Sequence, residues 1–370
     1  MKILILSCST GEGHNSAAKA MAEAFRELQI ECEILDPVSF HSRKAQRTVS
    51  AAYNNLIRVA PSGFGLVYKI GDLYDRSSLP SPIYWANSKY ADDLYRYILD
   101  NRIDRVVCTH LFGMEAMTAI ARRFPEAPPC YAVLTDYTAT PFYSDTELSG
   151  YFSPNEEVRQ ELIAVGIPAE RILPTGIPVS VRLSRPVPKE EARRLLSVDP
   201  EKKVIAVMSG GAGCGNLVKL CKALDRDADD SRRILVFPGK NESLAHKLHE
   251  AFGQNPRVRI IPFTPDIYLY FKAADVVLSK PGGLSSTEIA AANVPLIHLK
   301  EIPGCETENV RYFASHGMSI RAETAGKAAE AVDHLLTDAA AAEEMRKCQR
   351  EFIHPDAALR IAERVAEAAL

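Results

Sequence analysis

Several things are scarce in this chain, and each scarcity narrows what it can be. The eight cysteines, at positions 8, 32, 108, 130, 214, 221, 305 and 348, form no CxxC pair or Cys/His cluster of the kind a structural zinc site needs. Several lie in apolar runs such as Arg105-Val106-Val107-Cys108, as reduced thiols of a cytosolic protein do. Net charge is only −3, from 44 basic and 47 acidic residues, which argues against a protein built to coat nucleic acid. No apolar run approaches the roughly 20 residues that span a bilayer. The apolar start Lys2-Ile3-Leu4-Ile5-Leu6-Ser7 is too short for a signal-peptide core and runs at once into Gly11-Glu12-Gly13-His14. A soluble or at most peripheral protein is expected.

What is present is size and periodicity. A chain of 370 residues with 46% hydrophobic content exceeds what one growing core usually serves, so two domains are expected. Short β-branched runs alternate with longer amphipathic segments, the pattern of a parallel sheet covered by helices. The first half predicts strands over Lys2–Leu6, Glu31–Leu35, Arg105–Cys108, Tyr131–Leu134 and Gly150–Phe152. Its helices are expected over Asn15–Leu28, Ala91–Asp100, Glu115–Phe124 and Glu156–Val165. The cycle restarts after Pro186 and Pro188, with strands over Lys203–Met208, Arg233–Phe237, Val258–Ile261, Val276–Leu278 and Pro295–His298. The fold class is α/β with two Rossmann-like domains, residues 1–180 and 181–370, Pro355 is placed to start the final helix, and that helix is a candidate to return to the first domain.

Each half carries a glycine turn after its first strand. Ser9-Thr10-Gly11-Glu12-Gly13-His14-Asn15-Ser16 opens a helix, and so does Met208-Ser209-Gly210-Gly211-Ala212-Gly213-Cys214-Gly215-Asn216. Such turns leave backbone N–H groups at a helix start, where negative charge or a polar substrate is favoured. The first matches a dinucleotide fingerprint only in part, with Asp36 as an uncertain ribose partner, and neither ends in the Gly-Lys-Ser/Thr of an ATPase loop. Paired turns suggest two ligand-binding domains facing one another across a cleft; plain tight turns are the alternative.

A third segment has more definite chemistry. Asp275-Val276-Val277-Leu278-Ser279-Lys280-Pro281-Gly282-Gly283-Leu284-Ser285-Ser286-Thr287-Glu288 reads as strand, glycine turn, hydroxyl cluster and helix. The hydroxyls and amides suit a diphosphate, and Glu288 suits a ribose. Ser285 with Glu288 also fits a simple capping box. Phe263-Thr264-Pro265-Asp266 precedes it as a loop whose backbone can pair with a base.

Together with Val133-Leu134-Thr135-Asp136-Tyr137, Thr175-Gly176-Ile177-Pro178 and Ile302-Pro303-Gly304-Cys305-Glu306-Thr307-Glu308-Asn309, these segments resemble one family over nearly the whole chain. It is the group of inverting GT-B glycosyltransferases that includes monogalactosyldiacylglycerol synthase, the processive diacylglycerol glucosyltransferases and the peptidoglycan lipid-intermediate N-acetylglucosaminyltransferase. The resemblance implies a UDP-sugar donor with its base near Phe263 and Thr264 and its ribose on Glu288. Phosphates would lie near Gly211, Gly283, Ser285, Ser286 and Thr287, and sugar hydroxyls on Glu306 and Asn309. It also implies metal independence and no cofactor, in keeping with the lack of an Asp-x-Asp motif beside the glycine loops. Fixed amides and a helix dipole would then meet the charge on the leaving diphosphate.

Transfer to a hydroxyl needs a base. His14 is the candidate, because an imidazole titrates near about pH 6.5 and a helix start favours its neutral form. Asp136 either orients His14 or is itself the base, while Gly11, Gly13, His110 and Tyr137 are placed around the acceptor. The run Thr138-Ala139-Thr140-Pro141-Phe142-Tyr143 departs from the diglyceride enzymes, which tend to have His and Trp there. Between Pro37 and Gly71 the chain lacks Asp and Glu but carries Arg43, Lys44, Arg47, Arg58 and Lys69 among aromatics, which suits an anionic membrane surface or else a solvated loop.

The expected activity is transfer of a hexose or N-acetylhexosamine to a lipid hydroxyl, diacylglycerol first, on the cytoplasmic face of the cell membrane. A polyprenyl or soluble acceptor, a UDP-sugar epimerase and a catalytically silent UDP-sugar sensor are the alternatives, and no nucleic acid partner is expected.

Overall fold

The structure is a computed structural model that describes residues 1–8, 12–40, 81–208, 216–226 and 230–367. The chain divides into two compact units, the first made of Met1–Val181, Ile302–Cys305 and Asp356–Leu370, the second of Arg182–Glu301 and Glu306–Pro355.

The first unit is built on six parallel strands: β1 (Lys2–Leu6), β2 (Glu31–Leu35), β3 (Arg105–Cys108), β4 (Cys130–Val133), β5 (Gly150–Ser153) and β6 (Ile172–Pro174). They lie side by side in the order β2-β1-β3-β4-β5-β6. Alternation along β1 shows why helices cover both faces. Leu4 and Leu6 enter one core with Val106, Cys108, Met114 and Ile120, while Ile3 and Ile5 enter another with Met21, Phe25, Val133 and Phe152.

Helix α1 (Glu12–Glu27) covers the second face together with the last helix of the chain, Ala357–Ala366, which contributes Ile361, Ala362 and Val365. The Arg105 guanidinium donates to the carbonyls of Val365 and Glu367, satisfying acceptors that a helix end leaves open. The last helix therefore belongs to the first unit, so the expected second domain of 181–370 loses its C-terminal segment. That helix starts at Ala357 behind Asp356, so Pro355 precedes the helix and does not open it.

The other face carries α2 (Pro82–Ser88), α3 (Ala91–Asp100) and α4 (Leu111–Arg123). Helix α4 begins four residues before the expected Glu115, because His110 serves as its N-cap. Helix α5 (Glu156–Ala164) follows β5.

In the second unit the strands are β7 (Lys203–Met208), β8 (Arg232–Phe237), β9 (Val258–Ile260), β10 (Val276–Ser279), β11 (Leu296–His298) and β12 (Ile320–Arg321). Their order is β12-β11-β10-β7-β8-β9, again parallel, and helices α6 (Lys189–Leu195), α7 (Leu217–Asp225), α8 (Glu242–Phe252) and α9 (Ile267–Ala273) lie among the first four of them in the chain. Ile205, Val207, Val276, Leu278 and Ile297 face one core; Val204, Ala206, Val277 and Leu296 between them are equally buried on the other side. The short edge strands β6 and β12 were not visible as periodicity, since two or three residues carry too little pattern.

Strand order reverses between β1 and β3 in one sheet and between β7 and β10 in the other. Open α/β sheets bind ligands at such reversals, beyond the carboxyl ends of the strands.

Candidate active site

In the first unit the reversal point is occupied by His14. Helix α1 starts at Glu12, earlier than the expected Asn15, so His14 lies within its first turn. The turn is tied to β1 by a Ser7 hydroxyl donating to Asn15 at 2.8 Å. Thr109, just past β3, holds His14 from the other side. Its backbone N–H bonds Leu6, its hydroxyl donates to the His14 carbonyl at 3.1 Å, and its own carbonyl lies 2.8 Å from Nδ1 of the ring. The Thr135 hydroxyl, beyond β4, is 3.1 Å from the same nitrogen.

A carbonyl oxygen only accepts, so Nδ1 bears the ring proton and the basic lone pair is on Nε2. Burial pushes the imidazole below its ordinary titration range, while the charge of Asp136 and the Thr109 carbonyl pull the other way. The ring is therefore neutral at physiological pH. Thr109 and Thr135 hold the ring, and Asp136, expected either to orient His14 or to be the base itself, is half-buried after β4 and acts on the ring through its charge.

His110 stands edge-on to His14, with ring centroids 4.6 Å apart. Its Nδ1 accepts from the Phe112 N–H at 3.2 Å, which is an N-cap contact, and burial first, then His14, pushes its titration well down. Gly13 lies in the first turn of α1, and Tyr137 is buried at 6% exposure. Gly11 lies outside the described residues. The departing run 138–143 is tied down by Glu161, which accepts from the Thr138 hydroxyl at 3.1 Å and the Ala139 N–H at 2.6 Å.

In the second unit the reversal point is flanked by the segment that leaves β10. Helix α10 (Gly283–Ala291) begins immediately, with Gly282 as N-cap. Ser285 is thus the third helical residue, and the capping box that needs it ahead of the helix does not form. The first-turn amides of Gly283, Leu284 and Ser285 are those that a helix leaves without internal partners.

Of the hydroxyl cluster, Ser285 stays half-buried, as does Glu288 three residues on, so both lie on one face. Ser286 and Thr287 face inward: Ser286 lies 2.9 Å from Nε2 of His298, and Thr287 donates to the Gly283 carbonyl at 2.7 Å. At Gly282, φ is −72° and an added Cβ would meet nothing within 4 Å. Neither backbone strain nor packing within the fold requires glycine there.

Helix α11 (Cys305–Ser315) braces this loop. Asn309 is fully buried and its amide donates to the Pro281 carbonyl at 3.1 Å, while Glu306 accepts from the Lys280 ammonium at 2.8 Å. Asn309, expected on the sugar, thus also shapes the loop. Phe263 is 54% exposed beneath Lys240, whose ammonium is 5.1 Å from the ring centroid. Thr264 accepts from the Asp266 N–H at 3.1 Å. Gly211 lies outside the described residues. Among those described, no group of three or more His, Cys, Asp or Glu side chains is placed to hold a metal ion.

Four participants escaped the sequence reading: Thr109, Thr135, Lys280 as an ion-pair partner, and His298. Thr135 and Lys280 stood inside quoted motifs, Thr109 stood next to the named His110, and the polar end of the apolar strand Pro295–His298 was the signal for the fourth.

Known proteins give the arrangement a context. Residues 14–179 match the monogalactosyldiacylglycerol (MGDG) synthase family model, and residues 188–352 match that of glycosyl transferases group 1. A processive diacylglycerol beta-glucosyltransferase of Bacillus cytotoxicus is 26% identical over 370 residues, covering 99% of this chain and 93% of the relative. One of Bacillus cereus is 26% identical over 361 residues, covering 96% and 91%. Among solved structures, Acinetobacter baumannii MurG aligns with a TM-score of 0.60 at 15% identity, over 99% of both chains. UDP-GlcNAc 2-epimerase from Neisseria meningitidis, bound to UDP-GlcNAc, aligns at 0.62 with 14% identity, over 98% of this chain and 99% of its own. The two structural likenesses establish the fold, which is GT-B.

Proposed function

We propose that this GT-B chain, with an MGDG synthase domain followed by a group 1 glycosyl transferase domain, is an inverting UDP-sugar-dependent glycosyltransferase. It moves a hexose or N-acetylhexosamine to a lipid hydroxyl, with diacylglycerol the first candidate because the similar Bacillus enzymes are named for it. The observation that carries the reading is the neutral His14 ring, proton fixed on Nδ1, at the strand reversal of the first unit. A protein that only sensed UDP-sugars would have no need of a poised base.

In this reading Nε2 of His14 takes the proton of the acceptor hydroxyl as its oxygen bonds the anomeric carbon. The bond from that carbon to the diphosphate breaks on the opposite face, and UDP leaves with the electron pair. Charge developing on the diphosphate meets the amides of Gly283, Leu284 and Ser285 and the positive end of helix α10. Glu288 takes the ribose, Phe263 and Thr264 flank the base, and Glu306, held by Lys280, faces the sugar. No metal ion is needed for this charge balance, so turnover is expected to persist in a chelator.

The lipid acceptor assigns the first unit to a membrane surface, on the cytoplasmic face. None of the described helices is long and apolar enough to cross a bilayer. The basic stretch proposed to approach the surface, 37–71, lies outside the described residues except for 37–40. Binding to vesicles of rising anionic content, with Arg43, Lys44 and Arg47 changed to Glu, tests that assignment.

The central test is a UDP-sugar panel assayed for UDP release with and without diacylglycerol, followed by mass measurement of the lipid. Lipid gaining one or more hexose or N-acetylhexosamine masses supports the reading. An isomerised sugar without acceptor would mark an epimerase, binding without turnover a sensor, and absence of UDP-sugar binding would end the reading.

A further inference from the structure

We infer that His298 is a positioning residue for the donor's diphosphate, acting through its ring contact with Ser286 to fix the first turn of helix α10. The inference rests on the donor reading above and goes beyond it in naming what sets the geometry of the phosphate-facing amides.

His298 ends strand β11 and is fully buried. Its backbone stands in register with Ser279, the last residue of β10, and the Leu299 N–H donates to the Ser279 carbonyl at 2.8 Å. Its ring reaches across to Ser286, with Nε2 2.9 Å from the hydroxyl. The six residues from Lys280 to Ser285 are strung between those two attachment points, and the amides of Gly283, Leu284 and Ser285 are among them. On the far side Nδ1 lies 3.0 Å from the Ser319 hydroxyl, and the Phe313 ring packs edge-on with centroids 5.3 Å apart.

This is an expensive way to fill a core. Burial holds the ring neutral, with its pKa down to about 3, and a neutral imidazole has one donor and one acceptor, so each serine must play a complementary part. Apolar side chains at 298 and at its two serine partners together would avoid that desolvation at little or no loss of stability. What they would not supply is direction. A hydrogen bond fixes distance and angle, and the Ser286 contact fixes the rotation of a helix whose first-turn amides end one residue away.

The ring's two nitrogens allow a separation of roles. In His298→Gln the side-chain amide reaches the Nε2 position and keeps the Ser286 contact; in His298→Asn it reaches only the Nδ1 position and keeps Ser319. Each loses one buried hydrogen bond, so a purely structural role predicts similar damage from both. A positioning role predicts that His298→Asn raises the Kd for UDP and the KM for the donor about tenfold, while His298→Gln stays within about threefold. The acceptor KM should be unmoved in both.

Ser286→Ala should reproduce His298→Asn, and Ser319→Ala should leave UDP binding unchanged, so the inference remains testable if a ring variant fails to fold. Equal losses from Gln and Asn, or from the two serine changes, overturn the positioning role while leaving the donor site in place. Failure of the unaltered protein to bind UDP overturns the donor reading itself, and the inference with it.

Discussion

The Nδ1 atom of His14 and the carbonyl oxygen of Thr109 are 2.8 Å apart, and that contact decides which nitrogen can act as a base. Thr109 is 1% exposed, so no water competes for its carbonyl, and the ring holds its proton toward the protein. Catalysis should then depend on Nε2 alone. His14→Ala is expected to lower kcat by about 10² to 10⁴, the usual range for a lost general base, with donor KM little changed. Steady-state kinetics with separately varied donor and acceptor would show it.

The acid limb of kcat/KM should lie below the ordinary imidazole value of about 6.5, because burial lowers the titration of His14. Asp136 stabilises the protonated ring and so raises it. Removing that charge in Asp136→Asn should move the acid limb further down while leaving substantial activity at neutral pH. If Asp136 were the base, the variant would lose as much rate as His14→Ala and keep no limb to shift. Rate profiles from pH 5 to 8 separate the two.

Gly282→Ala isolates ligand contact from folding. With φ at −72° and no atom within 4 Å of an added Cβ, the alanine should cost no more than about 1 kcal/mol in capping preference. Its methyl group would nevertheless stand at the helix start assigned to the diphosphate. Calorimetry should find UDP binding weakened about tenfold or more at a nearly unchanged Tm; unchanged binding would move the diphosphate elsewhere.

Glu115 offers a test of stability in the first unit. It is fully buried on helix α4, where the Asn87 amide donates to one carboxyl oxygen and the other has no partner among the described residues. Burial raises its pKa to about 8. The folded state thus keeps a proton that the unfolded chain releases near about pH 4.3. Stability should therefore fall as pH rises from that value to about 8, at roughly 1.4 kcal/mol per unit from this residue. Glu115→Gln carries no such proton, and its denaturation midpoint should show a flatter descent over that window.

The sequence by itself determined the architecture. Alternation of apolar residues set strands buried on both faces, the restart after Pro188 announced a second sheet, and glycine turns marked the strand ends where ligands gather. It also offered His14 and the segment from Ser279 to Glu288 as candidates, since a base and a diphosphate site call for residue types that appear in linear order. What it left open was which way side chains point. Ser285 and Ser286 are adjacent letters, yet a helix starting at Gly283 turns one outward and the other onto His298, a rotation of about 100° per residue. The partners that fix His14 come from 95 and 121 residues away, and Asn309 reaches Pro281 only because α11 packs beside the loop. Only the tertiary structure decided those contacts, because hydrogen bonds between distant strand ends are set by sheet order, and no local pattern in the chain records which strands become neighbours.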